Sequence, residues 1–191
     1  METVGKNSWE KQNHEYKNES LSNDITRVLD KENLDEEKKE ILEKLSERLA
    51  EQKQNGGIEI LEWWSELWKT AMCEFLANVT NREIVRVQCS KIDPSNLFYS
   101  STLEKNEVSR EQADWIKAMQ KPWTIILFDE IDKLDEHCLE RLHSLFDRSR
   151  SVFDSHLWAI KANEDCLFIW TCNSDSRLSN PILSRSRFLK F

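Results

Sequence analysis

From Ile58 onward, short apolar runs alternate with stretches whose apolar residues recur every three or four positions. The runs Ile58–Leu61, Ile84–Val87, Thr124–Phe128, Leu167–Thr171 and Phe188–Phe191 predict strands. Thr124–Phe128 is apolar almost throughout, as expected of a strand covered on both faces. Between them, Lys69–Val79 predicts a helix with Met72, Phe75, Leu76 and Val79 inward. Ile116–Met119 predicts a short helical piece, and Leu134–Phe146 a helix with Leu139, Leu142, Leu145 and Phe146 inward. Ser151–Ala162 has no sustained period and reads as irregular or a hairpin. Strands alternating with helices predict an α/β fold, a three-layer α/β/α sandwich with a parallel sheet of about five strands.

Upstream the pattern differs. Residues 1–24 are rich in Asn, Glu, Lys and Ser without periodicity and read as a flexible polar tail. Residues 25–55 form a charged amphipathic helical segment, with Leu34, Ile41, Leu42, Leu45 and Leu49 at helical spacing and pairs such as Glu40 and Lys44 four apart. Asn55-Gly56-Gly57 ends it. Residues 56–191 are then the core domain.

Bulk composition narrows the classes of function. The 191 residues carry a formal net charge of -8, which argues against a broad nucleic-acid surface. There is no apolar run long enough to span a membrane and no signal-peptide core. Five scattered cysteines with no Cys-x-x-Cys pair read as reduced thiols and a cytoplasmic chain.

The strongest chemical signal is Ile125-Ile126-Leu127-Phe128-Asp129-Glu130-Ile131-Asp132. An apolar strand delivers two adjacent acids to its C-terminal edge, where α/β sheets bind ligands. In a nucleoside triphosphatase such a pair divides the work: Asp129 suits a Mg²⁺ shell, and Glu130 suits polarising the attacking water. About forty residues on, Phe168-Ile169-Trp170-Thr171-Cys172-Asn173 is a strand ending in an amide, and Asn173 suits a group that orients water or senses a terminal phosphate. Leu178-Ser179-Asn180-Pro181-Ile182-Leu183-Ser184-Arg185-Ser186-Arg187-Phe188 places two arginines after a short helix and before a strand. Either suits stabilising charge on a neighbouring subunit's nucleotide, with Arg185 the first choice. Each signal has a bland alternative: a strand ending in a polar turn, an Asn capping a turn, surface arginines.

In this order and spacing, Asp129-Glu130, Asn173 and Arg185/Arg187 resemble the Walker B, sensor-1 and arginine-finger elements of AAA+ ATPases. Asp93-Pro94-Ser95-Asn96-Leu97-Phe98 and Trp115-Ile116-Lys117-Ala118-Met119 are similar to the MoxR and dynein/midasin-related branch. The resemblance spans about residues 57–191. It implies ATP and Mg²⁺ as ligands, catalytic roles for Glu130, Asn173 and Arg185 or Arg187, and Asp129 on the metal. It also implies a homo-oligomeric ring, usually a hexamer, that remodels a protein or macromolecular complex, with nothing in the chain selecting the client. The family usually continues past the last core strand into a helical lid, and the sequence stops at Phe191, so either the lid is absent or this is a fragment.

A phosphate loop of this family reads G-x-x-x-x-G-K-[ST], because its backbone N–H groups wrap the phosphates where a Cβ would intrude. The corresponding stretch is Trp63-Trp64-Ser65-Glu66-Leu67-Trp68-Lys69-Thr70. The resemblance puts Lys69 on the β/γ-phosphates and Thr70 on Mg²⁺, yet both required glycines stand as tryptophan. Read with glycine in place of tryptophan, the stretch is a complete Walker A pattern. Trp115 then becomes the Gly of the related branch, and Trp123 the Gly before Walker B. Glycine fits Trp170 as well. The chain has 3 glycines and 8 tryptophans, and the two together make an ordinary glycine content. This predicts that a UGA codon read as glycine in the host stands here as tryptophan. The alternatives are a catalytically dead AAA+-like scaffold or partner subunit, if the tryptophans are genuine, and tryptophans that stack on single-stranded nucleic acid, which the acidic charge disfavours.

Overall fold

The computed structural model describes residues 36–55, 58–62, 66–104, 107–154, 158–174 and 178–190. The tail expected over residues 1–24, residues 25–35, and Trp63, Trp64 and Ser65 lie outside the described residues.

Helix α1 (Glu36–Asn55) leads into β1 (Ile58–Glu62), α2 (Glu66–Val79) and β2 (Glu83–Gln88). A hairpin of β3 (Tyr99–Glu104) and β4 (Glu107–Gln112) follows, then α3 (Asp114–Met119) and β5 (Thr124–Asp129). Helix α4 (Glu136–Arg141) precedes a second hairpin, β6 (Ser151–Asp154) and β7 (Trp158–Lys161). Strand β8 (Leu167–Cys172), helix α5 (Asn180–Arg185) and β9 (Ser186–Lys190) complete the described chain. The central sheet has five parallel strands in the order β2-β5-β8-β1-β9.

Why these runs become central strands is visible in how their side chains divide. Successive residues of a strand point to opposite faces. Ile126, Phe128, Phe168 and Trp170 enter one core with Trp115, Met119, Leu142 and Phe146. Ile125, Leu127, Leu167 and Ile169 enter the other with Leu45, Leu49, Met72, Cys73 and Leu76. All six residues of β5 and of β8 are buried, so neither face could have tolerated a polar alternation. Helices α1 and α2 therefore cover one face and the α3–α4 side the other, making the three-layer α/β/α fold.

Helix α1 is tied into that sandwich by more than its leucines. The Gln52 amide donates to the carbonyl of Phe168 and accepts from its N–H, both at 2.8 Å. Arg48 donates to the carbonyl of Phe188 at 3.0 Å.

Two elements differ from the sequence expectation. Residues 134–146 do not form one helix. Leu134 is extended, Asp135 caps α4 by accepting from the Cys138 N–H at 2.7 Å, and a 3₁₀ turn over His143–Leu145 follows. An Asx-type cap one residue inside the expected start moved the boundary. The β3–β4 hairpin was not anticipated, since its residues are mostly polar and its few apolar ones, Tyr99, Leu103 and Val108, form no run.

Asn81, Trp123 and Arg150 adopt positive φ away from the acidic turn, and at Trp123 this has a measurable consequence. Trp123, just before β5, has φ of 59° and is 43% exposed, with the Arg82 guanidinium 5.0 Å from the ring centre. A left-handed conformation costs a Cβ-bearing residue ~1–2 kcal/mol, and an exposed cation–π contact returns only ~0.5–1 kcal/mol. Trp123→Gly is expected to raise the thermal midpoint, and Trp123→Ala, which keeps the Cβ and loses the ring contact, to lower it. A calorimetric comparison of the two variants checks this.

Candidate functional site

All strands of the sheet run the same way, so their C-terminal ends share one edge. Glu62 of β1 lies in register with Cys172 of β8, and Phe128 of β5 with Trp170. The C-terminal ends of β1 and β5 thus flank that of β8. From β1 the chain crosses to β2 at one edge of the sheet, while β9 closes the other side of β1. Such a reversal opens a ligand crevice at the carboxyl ends of the strands.

Asp129 ends β5 and is 6% exposed. Its Oδ1 accepts a hydrogen bond from the Thr171 hydroxyl at 2.5 Å. Its Oδ2 accepts from Arg86, through Nε at 3.1 Å and through Nη2. Arg86 comes from the edge strand β2, whose Gln88 is the register partner of Asp129. A buried carboxylate needs such partners, because charge leaves water only when it is compensated.

Glu130 leaves the strand in the left-handed region, φ 57° and ψ 51°. Its N–H donates to the same Thr171 hydroxyl at 3.0 Å. A non-glycine residue in this region stores strain and is held there by its surroundings. The kink turns the chain into a 3₁₀ turn, Ile131–Lys133, in which Asp132 is buried. Asp132 Oδ1 accepts the Asn173 N–H at 3.2 Å, and Lys133 Nζ lies 3.8 Å from its other oxygen. Asn173 itself is exposed at the end of β8.

The structure therefore brings Asp129, Glu130 and Asn173 together at one edge, knit by Thr171 and Asp132. Sequence reasoning missed Arg86, Thr171 and Asp132 as contributors. For Thr171 a signal existed, a hydroxyl at the end of an otherwise apolar run; Arg86 had none, since its partner depends on which strand lies next to β5. Glu66, Leu67, Trp68, Lys69 and Thr70 lie at the start of α2, which begins three residues before the Lys69 start expected from sequence, inside the stretch that resembles a phosphate loop. The N-terminus of this helix lies four residues after the end of β1.

The two arginines part company. Arg185 closes α5 and immediately precedes β9, whose first residue, Ser186, is in register with Ile58 at the start of β1. Arg185 is thus at the sheet edge opposite Asp129 and Glu130. Arg187 is the register partner of Glu59 on β1. Its Nη2 lies 2.6 Å from Glu59 Oε1, its Nη1 pairs with Glu51, and it donates to the carbonyl of Arg48 at 3.0 Å. Arg48 Nη1 adds a longer contact, 3.6 Å, to Glu59 Oε2. The guanidinium of Arg187 is committed to holding α1 and β9 around a buried carboxylate.

That carboxylate makes the pairing testable. Burial pushes the Glu59 carboxyl above its ordinary range, with Arg187 and then Arg48 opposing. A folded-state value raised above the unfolded one contributes stability that is complete below the unfolded value and lost as pH rises through the folded one. Removing Arg187 deletes the leading opposing charge and strands the carboxylate. Arg187→Ala is expected to cost ~3 kcal/mol near pH 8, the usual loss on breaking a buried pair, and clearly less near pH 5. Urea titrations at the two pH values check both size and sign.

The tryptophans differ in how well they are accommodated. Trp115 donates from its indole to the carbonyl of Leu97 at 2.6 Å and packs at 5.1 Å from Phe128, so its site is satisfied. Trp170 is fully buried between Phe128 and Phe146, yet its indole N–H has no hydrogen-bond partner among the described residues. Such an unmet donor costs ~1–3 kcal/mol. Trp123 occupies the left-handed region noted above. The two segments that carried the branch resemblance also meet: besides the indole contact, the Ala113 N–H donates to the carbonyl of Phe98 at 2.9 Å.

Among the described residues no helix is long and apolar enough to cross a membrane. No curated protein matches the chain. A family model, the AAA domain of the dynein-related subfamily, matches residues 67–188. The match runs from the start of α2 through β5, β8 and into β9, and so includes the edge where Asp129, Glu130, Thr171 and Asn173 converge. The chain belongs to the dynein-related subfamily of AAA domains, a family whose members are generally ATP-binding ATPases.

Proposed function

We propose that this chain binds and hydrolyses ATP and uses the cycle to remodel a protein or macromolecular complex. The observation that carries the reading is the Asp129–Glu130 pair at the C-terminal edge of β5, one strand removed from β1 and its following loop. Asp129 offers a hard carboxylate oxygen that already attracts a cation, the Arg86 guanidinium, which fits Mg²⁺ chemistry. Asp129 and Thr70 would hold that ion. When bound, it neutralises charge on the β- and γ-phosphates.

The protein's own groups then divide the remaining work. Lys69 reaches the β/γ-phosphates, and the N-terminal turn of α2 presents backbone N–H groups to them. Glu130 accepts the proton of the attacking water, and Asn173 orients that water. Arg185 closes α5 at the sheet edge opposite Asp129 and Glu130, which supports a role on a neighbouring subunit's nucleotide within a homo-oligomeric ring. Arg187 is better explained by its ion pairs than by a second finger.

The phosphate contacts need glycine at positions 63 and 68. We read both, and Trp64, Trp115, Trp123 and Trp170, as glycine in the host's own translation. The left-handed backbone of Trp123 and the unmet indole of Trp170 support this; Trp115 does not bear on it. If the tryptophans are genuine, the chain is a non-hydrolysing AAA partner, because a Cβ-bearing residue at the glycine positions of a phosphate loop excludes the close approach of phosphate. Mg²⁺-dependent phosphate release from ATP by the protein purified from its host tests the reading, with loss of turnover in Glu130→Gln as its control.

A further inference from the structure

We infer that Thr171 is the positioning residue that sets Asp129 against Glu130, an inference that rests on the ATPase reading above. Thr171 is fully buried in β8, in a strand whose other residues are apolar or cysteine. Its single hydroxyl serves both acids: it donates to Asp129 Oδ1 at 2.5 Å and accepts the Glu130 N–H at 3.0 Å.

The direction of these bonds is forced. An amide N–H can only donate, and a carboxylate paired with Arg86 can only accept, so the hydroxyl receives from Glu130 and gives its one hydrogen to Asp129. Oδ1 is therefore held as an acceptor, and the carboxylate plane is fixed by Thr171 on one oxygen and Arg86 on the other.

The second bond acts on backbone. The pairing of β5 with β8 ends at Phe128 and Trp170, one residue before Thr171. A continued ladder would take the Glu130 N–H to a main-chain carbonyl and keep the strand extended. Here a side-chain oxygen takes it instead, and Glu130 adopts φ of 57°. One hydroxyl thus orients the metal-facing acid and stabilises the kink that aims the base.

The test compares Thr171→Val, which keeps shape and removes the hydroxyl, with Thr171→Ser, which restores it, both in the full chain carrying the host's residues. Loss of a group that orients a metal ligand typically costs ~10–100-fold in metal affinity or activity. Thr171→Val is expected to lower kcat by ~10–100-fold and weaken Mn²⁺ binding to the ADP complex ~10-fold, with KM for ATP changed less than ~3-fold. In the nucleotide-free protein, hydrogen exchange at the Glu130 amide should accelerate in Thr171→Val and not in Thr171→Ser. Thr171→Ser should stay within ~3-fold of the parent in kcat. Thr171→Ala carries the same expectation as Thr171→Val, should the latter fail to fold.

Parental turnover and parental Glu130 exchange in Thr171→Val would overturn the inference and leave the ATPase reading standing. A Thr171→Ser variant as impaired as Thr171→Val would also overturn it, since packing rather than the hydroxyl would then matter. A parent that binds no Mg²⁺·ATP would sink both.

Discussion

In the chain carrying glycine at positions 63, 64 and 68, Glu130→Gln is expected to reduce ATP turnover by at least ~100-fold while nucleotide binding survives. The substitution preserves size and removes only the ability to take a proton. Little of the fold depends on that carboxylate, since Glu130 is held through its backbone N–H on Thr171 and sits half-exposed. Glutamine at this position can make the same backbone bond and adopt the same left-handed turn. Phosphate release in a single turnover, set beside equilibrium binding of a fluorescent nucleotide, separates the chemical step from affinity. Turnover equal to that of the parent would remove Glu130 as the base and, with it, the division of labour proposed for the two acids.

The sequence carried the sheet well because its central strands are covered on both faces. Thr124–Phe128 and Leu167–Thr171 feed alternate residues into two separate cores, and that demands continuous apolar runs. The β3–β4 hairpin, lacking such a demand, left no apolar run. Helix α4 was misplaced because its periodic leucines continue into a 3₁₀ turn that buries Leu145 just as a helix would.

The site was legible where chemistry and strand end coincide, at Asp129-Glu130 and Asn173. It was illegible where function depends on which strand lies beside which. Arg86 reaches Asp129 only because β2 pairs with β5, and Thr171 reaches both acids only because β8 is the next neighbour. Arg187 illustrates the same limit in reverse. In the sequence it is one of two equivalent arginines; the β1–β9 register places it against Glu59 and gives it a structural occupation. No local pattern could have distinguished it from Arg185.

The largest effect expected of any change in this chain lies in the loop before Lys69. With tryptophan at positions 63 and 68, a heterologously made chain should bind ATP too weakly to measure. The same chain carrying Trp63→Gly, Trp64→Gly and Trp68→Gly should gain at least ~100-fold in affinity, about 2.7 kcal/mol. The obstacle is steric before it is electrostatic. Phosphate oxygens must approach the main-chain N–H groups at hydrogen-bond distance, and a side chain at either glycine position occupies that space. Position 68 lies in the first turn of α2, where the helix N-terminus would otherwise receive the anion. Isothermal titration with Mg²⁺·ATP on the two chains measures the difference. The protein from its own host supplies the complementary observation, because trypsin releases the peptide from Gln54 to Lys69 that holds all three positions. Three glycines in its mass would make the loop whole and the strained backbone at Trp123 unremarkable, since that residue too would be glycine. Three tryptophans would leave the Asp129–Glu130 pair assembled beside a blocked phosphate site, and the chain would then be a partner that lends Arg185 to a neighbour's ATP while hydrolysing none itself.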